Sequence, residues 1–454
     1  MIKSLILRIY LPIFCLIQIS YSYEIIKKRT EAENPTRFNT IFAPVFSNYT
    51  FYDYTNLDCL IAWGSFNEDT RDLIKYAHER GTEVQFLYGD PGVGYLNDSD
   101  YRKKKIDEYV KIVTDWQIDG INFDFEDELR GHEKDDWVTF MDELKQEFNK
   151  LPSAEGSPEG TSIKITMDVA WTPGELWCAG GRCYPAYKIS EVIDYLIIMG
   201  YDAEEDWWGR NSYGHATDPY YRLFQGLREY MDCLEIPPYK LILASPWYSW
   251  KMACKPADEQ EPVEKRPPGR EFQCNRYPLP KDRVNKDAKH TDFKLILEAF
   301  YDFEHRCDAY GNKIDDPKNF YHYSEIEDSY YFHVLNIVRN DTTDEIIDET
   351  IVEYWTTALL NDYKPYQNRL QLVIDSGVSG SGLWRPDSLK YDDELDGTNP
   401  EMDEIHRQFN KDMWKIYTEM AENFTPLQYN PYPWDEYLTS LCRKYIDLYV
   451  PPDP

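Results

Sequence analysis

A stretch of alternating polar and apolar residues at positions 116–128 carries the side chains best suited to chemistry. It reads Trp-Gln-Ile-Asp-Gly-Ile-Asn-Phe-Asp-Phe-Glu-Asp-Glu. Residues two apart in a β-strand point to the same face, so Asn122, Asp124 and Glu126 are predicted to share one face. The opposite face is apolar and is formed by Ile121, Phe123 and Phe125. Charged residues rarely line the inside of a fold unless they find partners or do chemistry.

Two neighbouring carboxylates in unequal environments favour hydrolysis of a glycosidic bond. One carboxylate stays ionised, and its charge raises the pKa of the other, which then acts as a general acid. The alternative interpretation is a solvated acidic run in a chain that is acidic throughout. The alternation with Ile and Phe, and the Gly120 that precedes it, favour the buried strand.

Short apolar runs before and after this stretch alternate with helical patterns. This alternation predicts parallel strands joined by crossover helices, and therefore an α/β fold. Eight such strands predict a closed (β/α)8 TIM barrel, whose active site lies at the C-terminal ends of the strands. The predicted strands are 39–47, 59–66, 83–89, 118–126, 163–171, 196–202, 241–248 and 379–385.

The interval between the seventh and eighth predicted strands is too long for one crossover. Residues 251–281 are rich in Pro and charged residues, whereas residues 321–338 are rich in aromatic and β-branched residues. We predict a small α+β insertion at about residues 254–350, inside a catalytic domain of residues 23–424. A Pro- and Tyr-rich tail follows at residues 425–454.

Residues 119–126, Asp-Gly-Ile-Asn-Phe-Asp-Phe-Glu, resemble the signature Asp-Gly-x-Asp-x-Asp-x-Glu of the family-18 glycoside hydrolases, a chitinase-like family. Asn122 stands where chitinases carry Asp, and an Asn there resembles the di-N-acetylchitobiase branch of the family. Four later segments resemble further barrel strands of the family, in the same order along the chain. They are Thr166-Met167-Asp168-Val169-Ala170-Trp171, Met199-Gly200-Tyr201-Asp202, Ser245-Pro246-Trp247-Tyr248 and Gly380-Ser381-Gly382-Leu383-Trp384.

The resemblance implies a retaining, substrate-assisted hydrolysis of β1,4-linked N-acetylglucosamine in chitobiose-type oligosaccharides, without a cofactor or a metal. Glu126 is expected to protonate the leaving oxygen, while the acetamido oxygen of the substrate attacks the anomeric carbon. Asp124 is expected to orient the acetamido group and Tyr201 to bind its oxygen. Because Asn122 is neutral, we expect Asp124 to ionise more easily than beside a carboxylate. The residues expected to bind the sugar are Asn122, Met199, Asp202, Trp247, Tyr248 and Trp384.

Two alternative functions stay open. Non-catalytic carbohydrate-binding relatives keep the barrel but usually lose the acid, which is present here as Glu126. An endo-acting chitinase would differ only in the closure of its groove. The segment Val352-Glu353-Tyr354-Trp355 lacks the Asp of the Trp-Tyr-Asp motif that family members often carry. The sequence therefore leaves open which residues contact the outer sugars.

Composition and targeting signals bound the cellular context. The formal net charge of −32 argues against nucleic acid as a partner, because phosphate binding needs a basic surface. Residues 1–22 are predicted to be a signal peptide, with a membrane anchor as the alternative. After cleavage we expect a lysosomal or secreted monomer that is free of the membrane.

The cysteines and glycosylation sequons fit that route. Cys15 lies in the predicted signal peptide, so eight of the nine cysteines remain, an even number that favours disulfides. Cys178 with Cys183 and Cys254 with Cys274 could close short loops, although pairing does not follow from sequence. The sequons are at Asn48, Asn97, Asn340 and Asn423.

Overall fold

The structure, a computed structural model, describes residues 36–174, 176, 178, 181–203, 214–254, 262, 274–275, 289–339, 343 and 345–426. The predicted signal peptide, Asn340 and residues 427–454 of the predicted tail lie outside the described residues.

Fifteen strands and eight α-helices are numbered here in chain order. The strands are β1 Thr40–Pro44, β2 Cys59–Trp63, β3 Glu83–Tyr88, β4 Gly120–Phe123, β5 Lys164–Val169, β6 Tyr195–Met199, β7 Leu241–Pro246, β8 Tyr248–Cys254, β9 Cys274–Asn275, β10 Lys289–Asp292, β11 Arg306–Cys307, β12 Tyr321–Ser324, β13 Ser329–Arg339, β14 Ile346–Thr356 and β15 Gly380–Trp384. The helices are α1 Glu68–His78, α2 Ser99–Trp116, α3 Glu133–Phe148, α4 Ala186–Val192, α5 Tyr220–Arg228, α6 Phe293–Phe300, α7 Lys364–Ser376 and α8 Pro400–Ala421.

Eight parallel strands close into a barrel in the order β1-β15-β7-β6-β5-β4-β3-β2. Each of them falls within a strand predicted from the sequence or begins one residue before it, so the predicted (β/α)8 barrel is confirmed. The fourth strand is shorter than predicted, because it ends at Phe123. Asp124 and Glu126 therefore follow the strand at its C-terminal end, where barrel active sites lie.

Apolar residues on both faces of the barrel strands build the core. The strands are buried on both sides because helices cover the outside of a parallel barrel. Helix α3 shows the pattern, since Trp137, Phe140 and Met141 are buried along its inner side. Phe123 lies between the rings of Trp137 and Phe140, with ring centroids 5.8 and 6.0 Å away. This packing fixes the strand that leads to the candidate site.

An antiparallel sheet lies between the seventh and last barrel strands. Its main path runs β10-β8-β14-β13-β11, with β12 added on β13 and β9 on β8. Strand β8 begins at Tyr248, directly after the barrel strand that ends at Pro246, so the sheet begins at the mouth of the barrel. The sheet extends from residue 248 to residue 356, which is wider than the predicted insertion.

Two disulfides join Cys178 to Cys183 and Cys254 to Cys274, the two loops that the sequence suggested. Cys233 is also disulfide-bonded. The expectation that the cysteines pair off is wrong for Cys59 and Cys307, which are buried free thiols. Cys59 is a fully buried residue of β2, packed among apolar barrel residues.

Within the described residues, no helix has the length and apolarity needed to cross a membrane.

Candidate active site

A cavity of about 440 Å³ opens at the C-terminal ends of the barrel strands. That volume lies in the range of small-molecule sites. Seven of the nine residues singled out from the sequence line it: Asp124, Glu126, Met199, Tyr201, Asp202, Tyr248 and Trp384. Four further residues complete its lining: Asp168, Asp292, Leu295 and Arg385.

The acidic wall begins where β4 ends. The backbone stays extended beyond the strand, since the Asp124 N–H donates to the Tyr88 carbonyl over 2.8 Å. Phe125 is buried against Trp137, with ring centroids 5.0 Å apart, while the side chain of Glu126 is 56% exposed. The alternation predicted from the sequence thus brings the carboxyl groups of Asp124 and Glu126 to the cavity.

Asn122 does not line the cavity, contrary to its prediction as a sugar-binding residue. Its side chain is fully buried, and its Nδ2 donates to Asp168 Oδ1 over 3.1 Å and to Thr166 Oγ1 over 3.0 Å. Thr166 in turn donates to Gln85 Oε1 over 2.7 Å. These side chains form a polar layer inside the barrel that supports Asp168.

Asp168 is the functional candidate that sequence reasoning missed. It lies two residues after Thr166 on β5, and strand residues two apart share a face. The available signal was an acidic residue between the apolar Met167 and Val169 on a barrel strand. Asp168 lines the cavity together with Asp124.

The pKa values of the two buried carboxyl groups are raised. Burial and the charge of Glu126 raise the pKa of Asp124 to about 6, and the cation Arg182 opposes this shift. Burial and the charge of Asp124 raise the pKa of Asp168 well above its usual range. Burial thus raises the pKa of Asp124 although the neighbouring Asn122 is neutral, and the comparison with a carboxylate at position 122 stays a prediction.

Glu126 is ion-paired with Arg182, whose side chain is 17% exposed. Arg182 belongs to the loop after β5 and does not line the cavity. Sequence analysis does not predict this pair, because the two residues are far apart along the chain.

Tyr201, Asp202 and Tyr248 form a further part of the cavity wall. Burial and the charges of Asp168, Asp124 and Asp202 raise the pKa of Tyr201 well above its usual range, so its hydroxyl stays a donor. Tyr248 donates to Asp202 Oδ1 over 3.0 Å. Asp202 has a left-handed backbone with φ of 51°, a strained conformation of the kind that clusters at functional sites.

Trp384 supplies an aromatic face at the end of the last barrel strand. Its ring stacks on Trp63 with a centroid distance of 5.0 Å and an interplanar angle of 11°. It also lies 6.4 Å from the Tyr201 ring. Trp384 is only partly buried, so an edge or face of its ring remains open to a ligand.

Trp247 is not part of this cavity, which corrects the prediction that it binds the sugar. Its side chain is fully buried and packs edge-to-face on Trp414, with ring centroids 4.9 Å apart. Trp247 and the cavity residue Tyr248 are adjacent in the chain, and successive side chains in extended backbone point to opposite sides. Only Tyr248 can therefore face the site.

The remaining wall comes from the inserted sheet and its helix. Asp292 pairs in register with Tyr248 across β10 and β8, which carries it to the mouth of the barrel. Leu295 follows on α6 and is exposed. The Arg385 guanidinium lies 3.8 Å from Asp292 and 3.4 Å from Asp387, so this wall is polar and paired.

One cluster in the described residues has metal-ligating side chains: Cys254, Cys274, His333 and Glu353. The two cysteines are joined in a disulfide, so they are not available as thiolates. His333 Nε2 lies 2.9 Å from Glu353 Oε2, and Trp355 Nε1 donates to Glu353 Oε1 over 2.7 Å. Glu353, from the segment that lacks the Asp of the family motif, is therefore engaged inside the inserted sheet.

Three of the predicted sequons lie in the described chain. Asn97 and Asn423 are exposed. Asn48 is partly buried, and its Nδ2 donates to Asp393 over 3.2 Å.

Comparison with known proteins gives consistent relatives. Residues 27–388 match the family Glycosyl hydrolases family 18. Di-N-acetylchitobiase of Homo sapiens is 28% identical over 205 residues, covering 45% of this chain and 49% of that protein. Probable di-N-acetylchitobiase 1 of Dictyostelium discoideum is 28% identical over 214 residues, covering 46% and 53%. The matched region thus spans about half the length of these curated relatives.

Solved structures with the same fold are more distant in sequence. The class V chitinase of Nicotiana tobaccum in complex with NAG4 has a TM-score of 0.57 at 12% identity, covering 83% of this chain and 98% of that chain. The C-terminal domain of a putative chitinase from Desulfitobacterium hafniense DCB-2 has a TM-score of 0.56 at 15% identity, covering 85% and 99%. At such identities the likeness concerns the fold.

Proposed function

The chain belongs to glycosyl hydrolase family 18, and we propose that it hydrolyses β1,4-linked N-acetylglucosamine in chitobiose-type oligosaccharides. The observation that carries this proposal is a single cavity whose lining includes Asp124, Glu126, Tyr201 and Trp384. These residues supply an acid, a second carboxylate, a hydroxyl donor and an aromatic floor. The names of the curated relatives support the same substrate class.

The first half of the reaction is a substrate-assisted displacement. Glu126, in its protonated form, gives its proton to the leaving glycosidic oxygen. The acetamido oxygen of the substrate attacks the anomeric carbon from the opposite side and forms an oxazolinium ion. Asp124 Oδ1 is buried without a hydrogen-bond partner among the described residues, so it is free to accept the acetamido N–H. Its negative charge balances the cation, and Tyr201 donates to the acetamido oxygen.

The second half returns the enzyme to its starting state. Glu126, now a carboxylate, takes a proton from a water molecule that attacks the anomeric carbon. The oxazolinium ring opens and the acetamido group is restored. Two displacements retain the anomeric configuration, and no protein–sugar bond forms.

We also propose that the protein works in a lysosomal or extracellular compartment. The disulfides Cys178–Cys183 and Cys254–Cys274 support this, because stable disulfides form in oxidising compartments. The exposed sequon residues Asn97 and Asn423 are accessible for glycosylation.

The test is incubation with a ladder of chito-oligosaccharides from the disaccharide upward, with product analysis by mass spectrometry. We expect cleavage by the wild type and a loss of about 10²–10⁴-fold for Glu126→Gln, as typical for a lost general acid. Glu128→Gln is the matched control, because Glu128 pairs with Arg130 and does not line the cavity. It should cleave at the wild-type rate.

The product pattern separates this proposal from its alternatives. Cleavage of longer chains with the disaccharide left intact would favour an endo-acting chitinase. Binding without cleavage by the wild type would favour a carbohydrate-binding protein. Cello-oligosaccharides lack the acetamido group, so their efficient hydrolysis would contradict the substrate-assisted mechanism.

A further inference from the structure

A disulfide-closed loop lies against the back of the acidic wall. The loop follows β5 and is joined by Cys178 and Cys183, five positions apart. Gly174 begins the loop at a close approach, because a Cβ there would lie 2.5 Å from the Tyr184 nitrogen. The two ends of the loop therefore lie close together, and its last residues reach the segment of Asp124 and Glu126.

Two contacts join this loop to that segment. The buried Tyr184 hydroxyl donates to the carbonyl oxygen of Phe125. The Arg182 guanidinium donates to Glu126 Oε1. One contact fixes the backbone between the two carboxylates, and the other fixes the carboxylate that we assign as the acid.

Arg182 is also the cation that acts on the buried carboxyl groups of the site. Its charge lowers the pKa of both Asp124 and Asp168, against burial and against their mutual repulsion. The other cation at the cavity, Arg385, lies against Asp292 and Asp387 on a different wall. In the described part of the chain, further titratable groups around this acidic wall include Asp127, Tyr184, Tyr201 and Asp202, with Tyr248 and Asp292 elsewhere in the cavity lining.

We propose that Arg182 is a positioning residue of the active site, which holds the side chain of Glu126 from behind the cavity wall and keeps Asp124 ionised during turnover. It does so without touching the substrate, because it does not line the cavity. The disulfide Cys178–Cys183 holds the loop that presents it. The expected pH–rate profile rests on the proposed function. The expected melting behaviour rests only on the charges of Arg182 and of the carboxyl groups.

The kinetic test is the pH–rate profile of Arg182→Gln on the chito-oligosaccharide that the wild type cleaves. Without the cation, Asp124 takes up its proton at higher pH, so the acid limb should move upward by about one pH unit. The maximal kcat should fall about tenfold or more because Glu126 is no longer oriented, with little change in KM. Arg182→Lys keeps the charge and should restore the position of the acid limb.

Arg130→Gln is the matched control. Arg130 is 77% exposed and pairs with Glu128, two residues beyond Glu126. Its removal deletes a nearby arginine without touching the cavity, so its pH–rate profile should match that of the wild type.

A second measurement does not depend on turnover. Carboxyl groups whose pKa is raised by folding destabilise the folded state at pH values above that pKa. Removing Arg182 should raise these values further. The unfolded chains titrate alike, so the melting temperature of Arg182→Gln should fall increasingly below that of the wild type as pH rises through about 6, the pKa of Asp124. Arg130→Gln should show a constant difference.

The outcomes distinguish this inference from the proposed function. An acid limb and a melting curve that respond in Arg182→Gln as they do in Arg130→Gln would overturn the inference. If the wild type cleaves no chito-oligosaccharide, the proposed function fails. In that case only the melting curves test the inference. A difference in melting temperature between Arg182→Gln and the wild type that grows with pH supports Arg182 as the cation of these carboxylates. A constant difference overturns the inference.

Discussion

The deepest carboxyl group of the site belongs to Asp168, on the strand next to the signature stretch. Asn122 on β4 pairs in register with Thr166, two residues before Asp168, and its Nδ2 donates to Asp168 over 3.1 Å. An amide beside a carboxyl group lets both stay buried without mutual repulsion. The raised pKa of Asp168 keeps its carboxyl group protonated at acid pH. Asp124, whose pKa is about 6, is the first of the two to lose its proton as the pH rises.

These two aspartates should therefore respond differently to the same substitution. Asp124→Asn removes the charge that balances the oxazolinium ion and should lower kcat by about 10²–10³-fold. Asp168→Asn keeps a neutral group of the same shape and should lower kcat by less than about tenfold at acid pH. Steady-state kinetics on chito-oligosaccharides measure both. Equal losses in the two variants would mean that Asp168 carries charge in the reaction.

The sequence predicts the residues of this site that end barrel strands, but not the residue that the inserted sheet brings to it. Asp124, Tyr201 and Trp384 lie far apart in the chain, yet a barrel brings the ends of all its strands to one mouth, so their meeting was predictable. Asp292 was not, because it reaches the cavity through the pairing of β10 with β8. Nothing in the local sequence encodes that pairing. The prediction for Trp247 is wrong because its side chain lies on the opposite side of the backbone from that of its neighbour Tyr248. Resemblance to a motif does not show which of two adjacent residues faces the site.

At the scale of elements, the inserted sheet forms part of the active site. Helix α7 ties it to the barrel through Arg369, a fully buried residue. Arg369 Nε donates to Asp218 Oδ2 over 2.5 Å, and Nη1 donates to Asp328 Oδ2 over 3.2 Å. Asp218 precedes α5 and Asp328 precedes β13, so one side chain joins three separate parts of the fold.

Arg369→Met should destabilise the protein strongly. The change leaves two buried aspartates without their cation, and breaking a buried ion pair costs about 3–5 kcal/mol. Urea unfolding followed by tryptophan fluorescence gives the free energy. Arg407→Ala is the control, because Arg407 is 48% exposed in its pair with Asp392, and the loss of an exposed ion pair should change the free energy of unfolding little. Equal losses in the two variants would show that the buried contacts do not hold the insertion in place.

At the scale of the whole molecule, the chain combines a net charge of −32 with several carboxyl groups buried at raised pKa. Burial raises the pKa of Asp124 and that of Asp232 to about 6, and raises that of Asp168 further. In the unfolded chain such groups titrate near 4. Between these values the folded protein binds more protons than the unfolded chain.

Stability should therefore fall as pH rises from about 4 to 6, because unfolding releases protons in this range, and the higher pKa of Asp168 extends the fall above pH 6. Loss of self-repulsion at lower pH acts in the same direction. An opposite effect sets the acid limit: the pKa of Glu298 is lowered by hydrogen bonds from His406 and Lys390, so its contribution is lost once it is protonated. The maximum is expected between about pH 4 and 5, which suits an acidic compartment.

Melting curves across this range measure the effect, and two variants identify its source. Asp124→Asn has no proton to release at that position, so its melting temperature should decline less between about pH 4 and 6 than that of the wild type. Asp315→Asn is the control, because Asp315 is 88% exposed and should leave the slope unchanged. A wild-type melting temperature that rises towards pH 8 would contradict the raised pKa values. A slope that both variants reduce equally would assign the effect to net charge rather than to the buried carboxyl groups of the site.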